Sequence, residues 1–593
     1  MSEYTGPASA PPLEPTRESS PGSVLGPRHR AAALRSLGEH EFDVLVVGGG
    51  VVGAGAALDA VSRGLSVALV EARDLAAGTS SRSSKLIHGG LRYLEQFDFR
   101  LVREALKERG LLTTRLAPHL VRPVSFLYPL HHRVWERFYV GAGITLYDTL
   151  AGRWGLRRHR QLSLRRTLEK APGLRKDALV GAIQYYDAQV DDARFTMMVA
   201  RTAAQYGACV TTRTPVIGFL REGARVTGAR VRDLESGAEI EVRAREVINA
   251  TGVWTDELQR MAGVEGTATA RPTEGVSVQA SKGVHIVVPR ERIRLDTGLI
   301  LRTEKSVLFV IPWGPHWIVG TTDTAWDLDK AEPSATNTDI EYILDHVNAV
   351  LNTPLTTDDI EGVYVGLRPL IGRSGASTVK LSREHAVTRP LPGLTVVAGG
   401  KYTTYRIMAK DAVDAAVGNL GEAVPPSITE RVPIIGATGF EAVRNNKRRL
   451  AERAGLSAGR VEHLLHRYGS RTEELLEIVA MAPGLGEPIP GAEGYLRVEA
   501  VYAASHEGAL RLEDVLVRRT RIFIEERDHG LEASQEVAVL LAPVLGWDDD
   551  RVKQEIDEYR QYVQADTAAR REPDDAAANA VRLRGLTPSE AMS

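Results

Sequence analysis

Three glycines, Gly48, Gly50 and Gly53, form the pattern G-x-G-x-x-G. This spacing of glycines is typical of a cofactor-binding turn. They follow the short apolar, β-branched run 42–47 and precede the helix-like run 54–63. In this context the glycines permit a tight turn and a close approach of the backbone to a ligand. The N-terminus of the helix also offers unpaired N–H groups and a partial positive charge to a pyrophosphate.

An acidic residue completes this pattern. A second strand-like run, 66–70, ends at Glu71, and an acidic side chain about 20 residues beyond the first glycine can accept hydrogen bonds from ribose hydroxyls. Strand, glycines, helix, second strand and acid together predict a dinucleotide site, and the alternative is a purely structural Gly-rich turn. The motif does not distinguish a nicotinamide from a flavin cofactor.

Three further segments favour FAD. The run 247–252 is an apolar strand that ends in Ala-Thr-Gly at Gly252. The run 396–401 places Gly400 and Lys401 before a helix-like stretch, and the dipole of such a helix would stabilise an anionic reduced flavin. The third segment, 79–85, is rich in hydroxyls, although a flexible serine loop is its alternative interpretation. From this segment and the residue after it we predict cofactor contacts by Thr79, Ser80, Ser84, Lys85 and Leu86.

These residues need a discontinuous sheet to bring them together. The apolar runs 42–47, 66–70, 247–250 and 394–398 are each followed by a glycine or an acidic residue, and they are typical of strands covered on both faces. Alternating segments at 306–311 and 316–320 indicate antiparallel strands. After about residue 431 the pattern changes to helix-like blocks.

The run 83–95 is far more specific than the glycine pattern. It strongly resembles the FAD-dependent glycerol-3-phosphate dehydrogenases of the respiratory, quinone-linked type. Similar runs occur at 190–194, 282–290, 311–313, 320–323, 366–370 and 399–406. The resemblance spans about residues 43–431 and extends more loosely into the region around 511–521.

From these patterns and the resemblance we predict an α/β fold. It comprises a two-dinucleotide-type, Rossmann-like FAD-binding domain, an interwoven mixed antiparallel substrate domain and an all-helical C-terminal domain. The boundaries are 1–38 for a disordered N-terminal tail, 39–430 for the FAD-binding and substrate-binding domains, 431–565 for the helical domain and 566–593 for a disordered C-terminal tail. The tails lack the apolar periodicity that would offset their ordering entropy.

The resemblance implies a reaction, a cofactor and a substrate. The reaction is oxidation of sn-glycerol 3-phosphate at C2 to dihydroxyacetone phosphate, with a hydride passing to N5 of non-covalently bound FAD and electrons passing later to a membrane quinone. A dianionic phosphate needs cationic forks and hydroxyls. The residues that could supply them are Arg92, Tyr93, Lys401 and Thr403, and Arg383 aligns more loosely with an arginine near the same site.

Removal of hydride from C2 also requires that the C2 hydroxyl lose its proton. A base of near-neutral pKa close to a cation is suited to this step. His285 is the candidate base, and Arg368 is the candidate cation for the developing alkoxide, matching a substrate-contacting arginine of the family. His88 either faces the flavin or supports the turn at 89–90, and we favour support.

Composition excludes other classes of protein. The chain has 593 residues, of which 43% are hydrophobic and 25% charged, and its formal net charge is −2. The net charge therefore creates no strong electrostatic field that would attract nucleic acid. The single cysteine, Cys209, excludes an intramolecular disulfide framework and a Cys-rich metal site, and we predict no metal. No run approaches the roughly 18 apolar residues that span a bilayer.

A quinone dissolves in lipid, so a quinone-linked enzyme without a spanning helix is expected on the bilayer surface. Residues 131–160 interleave cationic and aromatic side chains, which suits the headgroup boundary. We therefore predict a cytoplasmic enzyme bound peripherally to the inner face of the cell membrane, and the alternative for this segment is a cap helix or a homodimer contact. The cluster 518–521 is predicted to be a solvated helix face.

Three alternatives differ in acceptor, substrate or turnover. A soluble glycerol-3-phosphate oxidase would perform the same substrate chemistry and reduce oxygen. An amine oxidoreductase of the glycine or sarcosine oxidase kind acts on carboxylates and does not need the cluster of Arg92, Lys401 and Arg368. A flavin-binding protein without turnover would show no substrate-dependent bleaching of its flavin.

Overall fold

The computed structural model describes residues 23–90, 98–132, 135–264, 275–303, 307–372, 384–418, 420–421 and 423–585. Its helices are α1 Pro27–Glu39, α2 Val51–Ser62, α3 Phe99–Leu111, α4 Trp135–Ala151, α5 Leu164–Lys170, α6 Asp192–Gln205, α7 Thr255–Met261, α8 Asn337–Asn348, α9 Tyr405–Val417, α10 Phe440–Asn445, α11 Lys447–Ala454, α12 Ala458–Tyr468, α13 Thr472–Met481, α14 Arg497–His506, α15 Ile522–Glu525, α16 Leu531–Leu545, α17 Asp549–Ala569 and α18 Asp575–Leu583.

The strands form two large sheets and one hairpin. They are β1 Glu41–Val47, β2 Val67–Val70, β3 Leu86–Ile87, β4 Arg122–Leu130, β5 Arg160–Ser163, β6 Gly181–Gln189, β7 Cys209–Thr211, β8 Val216–Glu222, β9 Arg225–Arg232, β10 Glu239–Asn249, β11 Val278–Pro289, β12 Gly298–Arg302, β13 Val307–Trp313, β14 His316–Gly320, β15 Thr324–Trp326, β16 Gly362–Ile371, β17 His385–Leu391, β18 Leu394–Gly399, β19 Pro488–Ile489 and β20 Ala492–Leu496.

The first sheet has the strand order β17-β18-β10-β1-β2-β7, with β9 on β10 and β8 on β9. Its central pairs, β1 with β10, β1 with β2 and β10 with β18, are parallel. Along β1, Val44 and Val46 belong to the cluster that contains α2, whereas Leu45 and Val47 belong to the cluster on the other face. The strand is continuously apolar because both faces are covered, which confirms the predicted sheet.

The second sheet has the order β15-β11-β14-β13-β12-β4-β6-β3, with β16 on β11 and β5 on β6. The antiparallel register of β11 and β16 pairs Ser281 with Arg368 and His285 with Tyr364. Because alternate side chains share a face, this register brings the candidate base and the candidate cation to the same side of the sheet.

The C-terminal region is helical from α10 to α18, apart from the hairpin of β19 and β20. Its helices pack on the second sheet, since one apolar cluster contains Phe126 and Tyr185 of that sheet together with Leu512 and Ala538. The predicted helical domain is therefore confirmed, with two short strands added.

The predicted N-terminal tail is wrong for residues 23–38. Helix α1 buries Ala33 and Leu37, which are four residues apart, and contacts β7 and β10. Arg30 forms an ion pair of 2.5 Å with Asp233. Leu34 also packs against the apolar cluster of this sheet. A few apolar residues on one side of the helix are enough here, because the first sheet supplies the surface that covers them. Residues 1–22 lie outside the described residues.

The predicted C-terminal tail is also wrong, for residues 566–585. Helix α17 continues to Ala569, and α18 follows. Within α18, Arg582 is 1% exposed and lies 3.1 Å from the Glu332 carboxylate. Hydrophobic periodicity did not reveal this helix, because a buried ion pair contributes to its docking. Residues 586–593 lie outside the described residues.

Candidate cofactor and substrate site

A cavity of about 900 Å³ is lined by residues of both sheets. Its wall includes the glycine turn at 48–50, the loop 71–88 and residues 250–254. The second sheet contributes residues of β11, β13 and β16, and the segment 397–403 closes the wall beside it. A cavity of this volume at the ends of parallel strands is where a dinucleotide binds in α/β proteins.

The glycine turn is shaped by close backbone contacts. Gly48 has φ +111°, and a Cβ there would lie 2.8 Å from the Ala250 carbonyl oxygen. A Cβ on Gly53 would lie 1.9 Å from the Gly48 carbonyl oxygen, so Gly53 allows α2 to approach β1. Gly48 and Gly50 line the cavity, whereas Gly53 does not. Gly53 was predicted to contact the cofactor, but in the structure it serves the packing of α2 on β1.

The N-terminus of α2 lies at the cavity wall. The Val51 N–H donates to the Ser80 hydroxyl over 3.0 Å, which ties the loop of Ser80 to the start of the helix. Thr79 also lines the cavity, and its hydroxyl donates to the Leu367 carbonyl over 2.6 Å. Hydroxyls and N–H groups at a helix N-terminus are suited to a pyrophosphate.

Glu71 is held at the wall by two backbone donors. Its carboxylate accepts the Gly49 N–H over 2.5 Å and the Arg73 N–H over 2.9 Å. Burial raises the pKa of Glu71 against the effect of these hydrogen bonds. Each oxygen keeps further lone-pair capacity, so the side chain can still accept hydrogen bonds from a ribose.

The loop between β2 and β3 is fixed by arginines from the C-terminal region. Asp74 accepts hydrogen bonds of 2.6 Å from Arg518 and 2.7 Å from Arg519. Arg521 pairs with Asp191 over 2.6 Å and donates to the Ser81 carbonyl over 3.2 Å. The prediction that 518–521 is a solvated face is wrong, because these arginines have buried carboxylate partners far away in sequence.

Lys85 is not placed as predicted. Its side chain is fully buried and does not line the cavity. The ammonium donates to Asp192 over 2.9 Å and lies 4.7 Å from the centre of the Tyr364 ring. The charge of the ammonium is thus paired inside the protein, and the structure does not place Lys85 at the cavity wall, where the predicted cofactor contact requires it. The flanking residues Ser84 and Leu86 do line the cavity.

His285 lies at the cavity wall and is 2% exposed. Its Nε2 is 2.8 Å from the Ser84 hydroxyl. Its ring stacks on Tyr364, with ring centres 4.6 Å apart and an interplanar angle of 6°. Burial, reinforced by the positive charges of Arg368 and Lys85, lowers the pKa of His285 well below its usual value. A neutral imidazole at neutral pH can accept a proton.

Arg368 is oriented by the turn after β14. Its guanidinium donates to the Thr321 hydroxyl and to the Thr322 carbonyl, each over 3.1 Å, and lies 3.5 Å from the Asp323 carboxylate. A Cβ on Gly283 would be 2.5 Å from the Arg368 Nη2. The guanidinium therefore lies directly over a backbone position that only glycine leaves open.

The segment that contains Lys401 forms another part of the cavity wall. Lys401, Gly400, Gly252 and Thr403 all line the cavity. The Thr403 hydroxyl donates to the His88 carbonyl and accepts from the His88 N–H, both over 3.2 Å. Thr403 therefore fixes the backbone of His88, and His88 itself also lines the cavity.

Most of the predicted site residues of the described chain meet at this cavity. Those on its wall are Gly48, Gly50, Glu71, Thr79, Ser80, Ser84, Leu86, Gly252, His285, Arg368, Gly400, Lys401 and Thr403. Arg92, Tyr93 and Arg383 lie outside the described residues. The cavity residues that the sequence analysis missed include Arg73 and Arg82, although Arg82 stands within the hydroxyl-rich run 79–85.

The described residues offer neither a metal site nor a membrane-spanning helix. They contain no group of three or more His, Cys, Asp or Glu side chains that could hold a metal ion. Among their helices, none combines the length and the apolarity needed to cross a bilayer. Burial raises the pKa of the Cys209 thiol to about 12, which makes this cysteine a poor nucleophile.

Comparison with known proteins gives matches over most of the chain. Residues 43–407 match the family model of FAD dependent oxidoreductases, and residues 427–552 match that of the C-terminal domain of alpha-glycerophosphate oxidase. The chain is 56% identical to glycerol-3-phosphate dehydrogenase 2 of Mycobacterium tuberculosis over 562 residues, which are 95% of each chain. It is 36% identical to the mitochondrial glycerol-3-phosphate dehydrogenase of Homo sapiens over 567 residues, 92% of this chain and 76% of that one.

A solved structure shares the fold over nearly the whole chain. The glycerol-3-phosphate dehydrogenase of Bacillus halodurans, complexed with FAD, has a TM-score of 0.74 and 29% sequence identity to this chain. The match covers 91% of this chain and 98% of the Bacillus chain. Both family-model regions thus lie within one shared architecture.

Proposed function

The chain belongs to the family of FAD-dependent glycerol-3-phosphate dehydrogenases, and we propose that it oxidises sn-glycerol 3-phosphate at C2 and delivers the electrons to a membrane quinone. The product is dihydroxyacetone phosphate. The observation that carries the proposed mechanism is the register of β11 and β16, with His285 and Arg368 on one face beside the same cavity.

The residues of the cavity fit FAD. A helix N-terminus, a turn whose Gly48 has no room for a side chain, and an oriented Glu71 carboxylate suit a pyrophosphate and a ribose. The residues that would hold FAD without a covalent bond are Gly48, Gly50, Glu71, Thr79, Ser80, Ser84, Leu86, Gly252, Gly400 and Lys401. Bound FAD supplies the hydride acceptor, its N5 atom.

His285 is the proposed general base. Its pKa is held low by burial and by Arg368 and Lys85, so the ring is neutral at neutral pH. In the described structure its Nε2 contacts the Ser84 hydroxyl over 2.8 Å. The C2 hydroxyl of the substrate would take that hydrogen-bonding position and give its proton to Nε2 as hydride leaves C2.

Arg368 is the proposed electrostatic partner of the oxygen on C2. The guanidinium is already oriented by Thr321 and Thr322, so it needs little reorganisation to stabilise developing negative charge. For the phosphate we propose Lys401 and Thr403 on the described wall. Arg92, Tyr93 and Arg383 remain predictions for the same group, because they lie outside the described residues.

Helix α4 supports the proposed location on the inner face of the cell membrane. Trp135, Phe138, Tyr139 and Leu146 are 59%, 75%, 56% and 38% exposed, at spacings that put them on one side of the helix. The only acidic residue in the first turn, Glu136, is 7% exposed and accepts N–H groups of 131–132. Exposed arginines follow the helix at 153, 157 and 158. Aromatic side chains flanked by cations fit an anionic bilayer surface.

Oxygen is the second candidate acceptor. The match of residues 427–552 to the C-terminal domain of alpha-glycerophosphate oxidase favours it, whereas the names of the full-length relatives favour a dehydrogenase. Both candidates require the same chemistry at the substrate, so only the reoxidation step distinguishes them.

The test is the visible spectrum of the purified protein without oxygen, before and after sn-glycerol 3-phosphate is added. Bleaching of the flavin band by this substrate, but not by glycerol or by sn-glycerol 1-phosphate, is expected. Slow return of the band in air and fast return with a soluble quinone support the proposed acceptor. Fast return in air with formation of peroxide would identify an oxidase, and a band that does not bleach would refute the substrate.

A further inference from the structure

The final described helix, α18, lies beyond the part of the chain that matches the C-terminal family model, which ends at residue 552. Two ion pairs fix it against the rest of the molecule. Near its start, Asp575 pairs with Lys282 of β11, on the face opposite His285. Near its end, Arg582 is 1% exposed, lies 3.1 Å from Glu332 and donates to the Tyr562 carbonyl over 2.7 Å.

Glu332 connects this helix with the wall of the cofactor cavity. One of its carboxylate oxygens accepts from Arg73 over 2.5 Å and from Arg82 over 2.7 Å, and the other lies next to Arg582. Arg73 and Arg82 line the cavity, whereas Glu332 and Arg582 do not. Burial alone would raise the pKa of Glu332, but Arg82, Arg73 and Arg582 hold it well below its usual range. The carboxylate is therefore charged.

The balance of charge in this cluster depends on Arg582. Within this cluster, three guanidinium groups and one carboxylate sum to two net positive charges, and the arginines that reach the cavity wall are Arg73 and Arg82. Two more carboxylates lie nearby: Glu71 on the same wall, and Asp566 at 4.0 Å from Arg582. Without Arg582 the carboxylate would cancel one of the two arginines on the wall. Charges in a buried site are weakly screened, so the loss of one positive charge weakens the binding of an anion there.

We propose that Arg582 is a positioning residue for FAD: it neutralises Glu332 from outside the cavity, so that Arg73 and Arg82 keep their positive charge available to the cofactor. The helix α18 is then part of the cofactor site, although it does not touch the cavity. This role concerns retention of FAD and is independent of the substrate and of the electron acceptor.

A purely structural role would make Arg582 only an anchor for α18. The two roles differ in what happens when Glu332 is also neutralised. If Arg582 acts by balancing charge, then Glu332→Gln restores the two net positive charges in an Arg582→Met background. If Arg582 is only an anchor, the second substitution removes a further hydrogen-bonding partner from the cluster and restores nothing.

The experiment measures the dissociation constant of FAD by reconstituting the apoprotein of each full-length variant, with far-ultraviolet circular dichroism as the check on folding. For Arg582→Met we expect a rise of about tenfold in the dissociation constant. The double variant Glu332→Gln/Arg582→Met should return to within about threefold of the parent. Arg584→Met, which removes an exposed cation from the segment that follows α18, should bind FAD as the parent does.

Two results would overturn the proposal. One is unchanged FAD binding by a folded Arg582→Met protein, and the other is a double variant that binds FAD as weakly as Arg582→Met does. If Arg582→Met fails to fold, the decision passes to Arg582→Lys, which keeps the charge, and to the double variant. Parent-like FAD affinity in both supports the proposal, and a rise of about tenfold or more in the dissociation constant of either one refutes it.

Discussion

The imidazole Nε2 of His285 lies 2.8 Å from the hydroxyl of Ser84, a residue 201 positions earlier in the chain. His285 belongs to β11 of the second sheet, and Ser84 belongs to the loop that follows β2 of the first sheet. One hydrogen bond therefore joins the strand that carries the candidate base to the loop that lines the cofactor cavity. If His285 is the base, a change in the loop of Ser84 is expected to alter the position of its imidazole ring.

Replacement of His285 by alanine tests its role in proton transfer. We expect FAD to stay bound, because His285 is not needed for the glycine turn, and flavin reduction at saturating substrate to slow by about 100-fold or more. Stopped-flow absorbance without oxygen measures this rate. His40→Ala, which removes an exposed histidine, is the control, and an unchanged rate in His285→Ala would exclude His285 from the mechanism.

The pH dependence of flavin reduction follows from the lowered pKa of His285. Burial, Arg368 and Lys85 disfavour its protonated form, so the ring stays neutral as the pH falls through the ordinary histidine range. Flavin reduction at subsaturating substrate should thus be constant from about pH 8 to about pH 6.5 and decline only at lower pH. An acid limb centred above about pH 6.5 that disappears in His285→Gln would contradict this expectation.

A side chain at Gly283 should move the guanidinium of Arg368. A methyl group there would lie 2.5 Å from Arg368 Nη2 and 2.6 Å from the Thr321 hydroxyl, so Gly283→Ala must displace the guanidinium. We expect kcat to fall by about 100-fold with FAD retained, because orientation of the cation is lost. Gly494→Ala, whose Cβ would meet nothing within 4 Å, is the matched control. Equal kcat in both variants would remove Arg368 from the proposed role.

Asp74→Asn tests whether the C-terminal arginines stabilise the loop between β2 and β3 that lines the cavity. It leaves Arg518 and Arg519, which are 3% and 2% exposed, without their shared carboxylate. Arg518 keeps its hydrogen bonds to Glu513 and Asp514, so the cost falls mainly on Arg519 and is about 1–3 kcal/mol. We therefore expect a lower unfolding midpoint and faster loss of FAD on dilution. Arg527→Ala, at an exposed position of the same region, should change neither quantity. Parent-like FAD retention in Asp74→Asn would show that the loop keeps its conformation without these ion pairs.

The exposed face of α4 should control attachment to lipid. Removing two aromatic anchors in Trp135→Ser/Phe138→Ser should weaken partition into vesicles of anionic lipid by about tenfold or more, since apolar burial at the interface is lost. Sedimentation with vesicles measures the partition. Val539→Ser, at a position of α16 that is 56% exposed, is the control. Unchanged partition together with a change from dimer to monomer would make this face a dimer contact.

Strands with apolar runs were the most predictable part of the fold. The runs 42–47, 66–70, 247–250 and 394–398 all lie in the first sheet, because strands covered on both faces leave a strong local signal. The glycine turn was recognisable for the same reason: its geometry is set by neighbouring residues. His285 and Arg368 came from motif resemblance, and nothing local predicts the register that brings them together.

Charged residues with distant partners were the least predictable part. Lys85 was predicted to contact the cofactor, yet it pairs with Asp192, about 100 positions away. The cluster 518–521 was predicted to be solvated, yet Arg518 and Arg519 share the carboxylate of a residue about 450 positions away, in addition to the partners that Arg518 has in its own segment. Helix α18 was missed because its contacts include ion pairs with Glu332 and Lys282. Sequence patterns report burial through hydrophobicity, and a buried ion pair leaves no such trace.

The ion pairs between Asp74 and the C-terminal arginines impose an order on biosynthesis. Asp74 is separated from Arg518 by 444 positions and from Arg519 by 445. On the ribosome, Asp74 emerges long before either arginine has been translated, and the loop cannot reach its ion-paired arrangement until nearly the whole chain has been released. Truncated chains that end before residue 518 contain the complete glycine turn but lack the partners of the loop beside it.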